Sequence, residues 1–341
     1  MTIPRHSSTG PAPEPFEGDR FQILTLDGGG AKALFTAHVL ARFEEDLGVR
    51  VVDHFDLIAG TSAGGIIALG LGAGLRPADI AKHYGDLVGQ VFPRRRQRKW
   101  RLSRLARPAY SGEVLRGTLA NVLGDKILGQ SVKRLLIPSW DVQAGEVHIF
   151  KTPHSPRLTR DWRVPMVDVA LATSAAPTYF PAAKVDGGRL VDGGVFANNP
   201  SVLAIAEARS MLGVPLEAIR VLNVGTMTPF NDHSKRLDNA GLGRWATVAT
   251  PMILTASSAS ATGIARHLIG FDNYVQLDVT VPPGDFALDR IDPDDVAGHA
   301  GSASRNLSPE FDAKFADHVA PTYTAPPGRD GSAPTLTKEP L

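Results

Sequence analysis

Phe55-Asp56-Leu57-Ile58-Ala59-Gly60-Thr61-Ser62-Ala63-Gly64-Gly65-Ile66-Ile67-Ala68-Leu69 decides how the rest of the chain reads. Apolar runs flank a short, small-residue centre, which predicts a buried strand, a tight turn and a buried helix. One serine stands at the apex, in the pattern Gly60-x-Ser62-x-Gly64. Small neighbours let the backbone turn sharply and lift the hydroxyl above the end of a sheet, as in a nucleophile elbow. A hydroxyl alone is a weak nucleophile. It needs a base for its proton and donors for the oxyanion that its attack creates.

Upstream, Phe21-Gln22-Ile23-Leu24-Thr25-Leu26 predicts a first strand, ending in Asp27-Gly28-Gly29-Gly30. A helix is expected from Ala31 to Leu47, because Phe35, Val39, Phe43 and Leu47 recur every fourth residue and Gly48 suits its end. Three residues without Cβ before a helix N-terminus let backbone N–H groups approach an anion. Two functional readings follow. Gly28-x-Gly30-x-x-Ala33, with Asp53 further on, fits a loose dinucleotide fingerprint, so a dinucleotide-binding protein using the 28–33 loop is one alternative. The other is an oxyanion hole for Ser62. The second strand ends in the serine elbow and not in a ribose-binding acid, and neighbouring parallel strands would bring both loops to one sheet edge. That favours the oxyanion hole.

The base is less obvious. Of ten histidines, none falls between His154 and His233, and none sits in a glycine-framed loop. His233, His267, His299 and His318 follow the serine but carry no signature. Leu190-Val191-Asp192-Gly193-Gly194-Val195 instead places a carboxylate at the end of a β-type run. A carboxylate within hydrogen-bond reach can take the serine proton if desolvation raises its pKa. The plainer reading is that Asp192 closes a turn.

The remaining segments fill in the architecture. Helices are expected over Arg76 to Val91, Val167 to Ala175 (halted by Pro177), Val202 to Leu212 and Ser308 to Val319; strands over Leu135 to Ile137, Val147 to Phe150, Arg220 to Val224 and Tyr274 to Val281. Asn198-Asn199-Pro200-Ser201 reads as helix capping. Strands alternating with helices predict a three-layer α/β/α domain with a mainly parallel central sheet. It is expected over residues 21–319, with polar, proline-rich disordered tails at 1–20 and 320–341. Leu57 to Leu75 and Trp245 to Ala265 are long and uncharged, yet glycines interrupt the first and Pro251 the second. Both fit buried soluble segments better than membrane spans. Core packing is the preferred role for Trp245 to Gly270, with the lining of an apolar pocket as the alternative.

The charge balance is +1 over 341 residues, so no global basic field draws a nucleic acid polymer. The chain has no cysteine, which removes disulfides and thiolate metal sites and suits a reducing, cytoplasmic compartment. Basic charge is concentrated in Arg94-Arg95-Arg96-Gln97-Arg98-Lys99-Trp100-Arg101-Leu102-Ser103-Arg104-Leu105-Ala106-Arg107, eight cations without an acid. This segment reads equally as a solvated face or as peripheral contact with the inner membrane face, with Trp100, Leu102 and Leu105 entering the interface. An anion site for a partner is a third reading.

Together, Asp27-Gly28-Gly29-Gly30-Ala31-Lys32, Gly60-Thr61-Ser62-Ala63-Gly64 and Asp192-Gly193-Gly194 resemble, in that order, the signature of the patatin-like phospholipases. Ala172-Thr173-Ser174-Ala175-Ala176-Pro177 and Asn198-Asn199-Pro200 are similar to further blocks of that family, and the likeness runs from about Phe21 to Thr226. The resemblance implies hydrolysis of phospholipid or other lipid acyl esters through an acyl-serine intermediate, with no metal or cofactor. It makes Ser62 the nucleophile, Asp192 the base and Gly28, Gly29 and Gly30 the oxyanion donors. Lys32 and Ala33 stand where the family usually has Arg-Gly, leaving Lys32 as an anion contact without the planar guanidinium fork. Some bacterial members resembling this chain act in antiphage defence on activation by a cyclic nucleotide, and such an activator is a second expectation. An inactive, lipid-binding family member is the remaining alternative.

Overall fold

The computed structural model describes residues 15–92, 108–229, 241–282 and 286–325, with a few isolated positions besides. The basic segment 94–107 lies outside them. Residues 15–20 and 320–325, expected in disordered tails, are among those described. Phe16 packs edge-on against Phe21. At the other end Ala320 N–H donates to the Asp53 carbonyl (2.8 Å), and Tyr323 is buried with the Arg134 guanidinium over its ring. A proline- and threonine-rich composition still orders where one aromatic finds a surface to cover.

The strands are β1 (Phe21–Leu26), β2 (Leu57–Gly60), β3 (Arg134–Asp141), β4 (Glu146–Lys151), β5 (Ala183–Val185), β6 (Gly188–Asp192), β7 (Ile219–Val224), β8 (Thr228–Pro229), β9 (Tyr274–Leu277) and β10 (Thr280–Val281). The helices are α1 (Leu34–Leu47), α2 (Ala63–Gly72), α3 (Pro77–Val91), α4 (Gly112–Leu123), α5 (Met166–Ser174), α6 (Gly194–Ala197), α7 (Ser201–Met211), α8 (Leu242–Ile269) and α9 (Pro293–Phe315). One eight-stranded sheet runs β5-β6-β3-β2-β1-β7-β9, with β4 also on β3, while β8 and β10 pair separately. It is mixed: β3, β2, β1, β7 and β9 are parallel, β4 and β6 run against them, and the edge strand β5, antiparallel to β6, runs with them again.

Successive side chains of a strand face opposite sides, and this sheet is buried on both. Leu24, Leu26, Ile58, Leu135 and Ile137 enter the core against α1, α2, α3, α5 and α9. Ile23, Leu57, Ala59, Leu136 and Val221 enter the core on the side of α7 and α8. No helix among the described residues is long and apolar enough to cross a membrane.

The decisive feature of the topology is how β3 is shared. Its first residues pair with β2, Leu57 opposite Arg134 and Ala59 opposite Leu136. Its last residues pair with β6, Ser139 opposite Asp192 and Asp141 opposite Leu190. β2 therefore climbs along β3 and turns off at Gly60, while β6 descends along the next part of β3 and stops at Asp192. Two chain ends 130 residues apart in sequence converge at one point on the sheet edge.

Candidate active site

The elbow forms because two glycines permit contacts that no Cβ would. A Cβ on Gly60 would lie 2.3 Å from the Gly64 carbonyl oxygen, and one on Gly64 would lie 2.4 Å from that of Leu26. Strand, turn and helix are thus pressed together, and Ser62 is held at φ 55° and ψ −123°. That conformation costs a non-glycine residue on the order of 1–3 kcal/mol. The surroundings enforce it: Ser62 N–H donates to Thr173 Oγ1 (3.0 Å), whose hydroxyl donates to the Pro138 carbonyl (2.7 Å). Thr61 Oγ1 donates to the Ala197 carbonyl (2.7 Å).

The serine hydroxyl donates to Asp192 Oδ2 at 2.6 Å. The other carboxylate oxygen accepts the Gly194 N–H at 2.7 Å. Asp192 itself is positioned from α5, its N–H donating to the Ala175 carbonyl and that of Gly193 to the Thr173 carbonyl. The carboxylate is 5% exposed. Burial pushes its pKa up to about 6, and the bonds from Ser62 and Gly194 oppose part of that rise. Among the described residues, no histidine lines the cavity around Ser62. His318 meets Asp56, while His267 and His299 meet the rings of Phe271 and Phe286; His233 lies outside the described residues.

The glycine loop adjoins Ser62, because β1 and β2 are parallel neighbours with Leu26 opposite Gly60. Its three glycines differ. Gly28 N–H is taken by the Asn198 carbonyl (3.0 Å), which corrects the expectation that it is a free oxyanion donor. Thr226 Oγ1 donates to the Gly28 carbonyl (3.1 Å), and Lys32 N–H to that of Gly29. In a trans peptide N–H and C=O point opposite ways, so the N–H groups of Gly29 and Gly30 turn from these anchors. Neither meets an acceptor among the described residues, and both glycines line the cavity that holds Ser62 and Asp192. Asp27 anchors the loop from below, accepting Asn223 Nδ2 at 2.6 Å, and burial raises its pKa well above the carboxylate range.

This cavity measures about 240 Å³ and is walled by Ile66, Leu87, Phe92, Leu115, Phe180 and Leu288. The chamber is thus largely apolar and ends at the Ser62 hydroxyl and the Asp192 carboxylate. Comparison with known proteins agrees with this geometry. A family model described as patatin-like phospholipase matches residues 24–205.

The chain belongs to the patatin-like phospholipase family.

A cGAMP-activated phospholipase of Pseudomonas aeruginosa is 35% identical over 283 residues, covering 80% of this chain and 83% of that one. One of Vibrio cholerae is 34% identical over 337 residues, covering 88% and 95%. Patatin-like protein 2 of Arabidopsis thaliana is 31% identical, covering 77% and 74%. The protein is thus a phospholipase-type lipid acyl hydrolase, and the dinucleotide-binding alternative falls. Asp53 agrees with that: it precedes β2 at the opposite end of the strand from Gly30, out of reach of any ligand on the glycine loop.

Several features of the phospholipase depart from the sequence-based expectations. Lys32 lines a different cavity from Ser62 and donates to the Met227 carbonyl at 2.9 Å; burial lowers its pKa. Of the two asparagines read as caps, Asn199 does close the turn, accepting the Ser201 N–H (2.9 Å). Asn198 instead lies against Gly28 and donates to Ser258 Oγ on α8 (2.9 Å). Asn198 and Thr173 are site residues that local pattern misses, because each acts through a partner distant in sequence. Helix α8 was expected to pack in the core. Its C-terminal part does pack there through Ala265 and Ile269, while the pocket-lining alternative holds for its earlier turns: Thr250, Ile253 and Leu254 line the cavity, and Ile253 is 55% exposed. A second cavity, of about 760 Å³, adjoins the first and shares Tyr179, Asn198, Leu254 and Leu288 with it. Arg266, Gln276 and Asp278 contribute its polar wall.

Proposed function

We propose that the protein is a phospholipase A type hydrolase using Ser62 and Asp192 as its catalytic dyad. The single observation carrying this reading is the 2.6 Å contact between the Ser62 hydroxyl and a buried carboxylate. In the first step Asp192 accepts the serine proton as Oγ attacks the ester carbonyl. The N–H groups of Gly29 and Gly30 receive the oxyanion, each such donor being worth about 2.7–4 kcal/mol. The tetrahedral intermediate collapses to an acyl-serine, and the lyso-lipid alkoxide leaves with the proton held by Asp192. Water, deprotonated by the same carboxylate, then releases the fatty acid and restores Ser62.

The finer part of the reading concerns control. Bacterial relatives covering most of the chain are named cGAMP-activated, and we take a cyclic dinucleotide as the activator here too, in a cytoplasmic antiviral response. The cavity behind the glycine loop is its proposed seat, since a ligand there would touch Asn198, Leu254 and Leu288, which also wall the catalytic chamber. Peripheral contact through residues 94–107 completes the proposal: Phe92, the last described residue before that basic segment, lines the catalytic chamber.

Hydrolysis of a fluorogenic phospholipid with and without a panel of cyclic dinucleotides tests both parts. Turnover lost in Ser62→Ala, and dependent on one dinucleotide, is the expected result. High turnover without any of them removes the gating, and substantial turnover in Ser62→Ala removes the dyad. Vesicle binding with no turnover under any condition would make the protein an inactive, lipid-binding member.

A further inference from the structure

Helix α8 carries a surface that the chemistry at Ser62 leaves unused. Its inner side packs through Thr262, Ala265 and Ile269. On its outer side Met252, Ala256, Ser260, Ile264 and Leu268, spaced by four, form an exposed ridge. The ridge is roughly 24 Å long at the helical rise of 1.5 Å per residue. Trp245 and Ile253 are exposed beside it, and Phe271 follows at 64% exposure. From Asn239 to Phe271 the sequence has no acidic residue. A water-facing helix ordinarily presents a charged outer face, whereas this one presents Met252, Ile264 and Leu268 around the small Ala256 and Ser260, and no carboxylate.

We propose that the α8 ridge is the face the enzyme lays on a lipid bilayer. This rests on the phospholipase reading and adds where the membrane sits. Position is the first argument. The ridge begins at the mouth of the acyl chamber, where Ile253 and Val195 both line the cavity and stand exposed. A bilayer on this face would let an acyl ester pass to Ser62 without crossing water. A second copy of the chain in the same place would cover the entrance that substrate needs. Charge is the second argument: from Asn239 to Phe271 the chain offers no carboxylate to repel phosphate headgroups. Such a face binds by apolar insertion, with electrostatics secondary. Its contribution is therefore insensitive to salt, unlike that of the basic segment 94–107.

The test uses the full chain, with cyclic GMP-AMP present throughout. Wild type and the double variant Ile264→Asp/Leu268→Asp are compared for flotation with phosphatidylcholine vesicles at low and high salt. Neither position belongs to a buried core cluster or lines the catalytic cavity, and p-nitrophenyl butyrate, a soluble ester, reports on the active site separately. The expected result is salt-resistant binding by wild type, lowered about tenfold or more in the variant, with hydrolysis of the soluble ester unchanged. As a second arm, Ile264→Trp gives a blue-shifted emission quenched by brominated lipids. Equal vesicle binding by both proteins, or no quenching at residue 264, overturns the proposal. So does a concentration-dependent oligomer that the double variant abolishes, since that assigns the ridge to self-association. Loss of soluble-ester hydrolysis in wild type would instead count against the hydrolase reading.

Discussion

Asp192 and Asp56 are both 5% exposed, and they stand at opposite edges of the same sheet. At the N-terminal edge Asp56 Oδ2 accepts the Gln22 N–H and His318 Nε2, each at 2.8 Å. Gln22 Nε2 donates to the carbonyls of His54 and Phe315. Strand, helix α9 and the chain beyond it are tied together there. At the C-terminal edge the accounts are left open. Asp192 has no cationic partner among the described residues, Ser62 is held at positive φ, and two loop N–H groups lack acceptors. One edge ties its carboxylate to donors from a strand and from the chain beyond α9 and so stabilises the fold, although Gln22 Oε1 there meets no donor among the described residues. The other keeps a hydroxyl, a base and donors unsaturated, and so can react.

The contrast breaks most visibly at the dyad. Ser62→Ala and Asp192→Asn should each lower ester turnover by about 10³-fold or more, by analogy with removal of other hydrolase nucleophiles and bases. Circular dichroism should stay native. Comparable turnover in either variant would mean that this edge is not the reactive one.

Gly29→Ala should come next, losing about 10²–10³ in kcat, the scale of one oxyanion donor. The added Cβ would lie 2.2 Å from Thr226 Oγ1 and must displace the loop. A variant with unchanged kcat would show that the loop's N–H direction is immaterial.

A pH series sharpens the comparison through Asp192, whose pKa lies near 6 and not at the ordinary 3.8. The dyad needs the carboxylate, so kcat should rise with pH and level off above about 6. Stability has the opposite sign. Between about 4 and 6 the folded state holds a proton that the unfolded state releases, so stability falls as pH rises. A rise to about 6 corresponds to at most about 3 kcal/mol. Asp192→Asn should therefore raise Tm relative to wild type at pH 8 and lose that advantage near pH 4. An advantage that did not change with pH would sink this account.

At the N-terminal edge the smallest effect is expected. His318→Ala should cost about 1.5–3 kcal/mol in denaturant unfolding, the range for a bond to a charged group. It should leave kcat on a soluble ester within about twofold. A large loss of kcat without a loss of stability would mean that the two edges are coupled.

How much of this was legible in the sequence depended on the range of the interaction. Strand β1, the elbow, α3 and β7 follow from apolar runs and turn residues, which act over a few positions. Asp192 was legible as a carboxylate at a strand end followed by glycines. Asn198 was not, since its role is set by Gly28 and by Ser258 in a helix 60 residues later. Gly28, Gly29 and Gly30 looked equivalent until the Asn198 carbonyl took one of their three N–H groups. Helix α8 looked like core because apolar composition alone does not say which neighbour covers it.

By itself, then, the sequence determined the tight turn at Ser62, the glycine loop and the acid that could serve as base, because steric limits on small residues are local. Only the tertiary structure decided that β2 and β6 would share one side of β3 and meet end to end. That pairing brings the hydroxyl to the carboxylate, removes the carboxylate from water and so raises its pKa. Strand pairing over such separations is set by the burial of whole faces, which no single motif encodes.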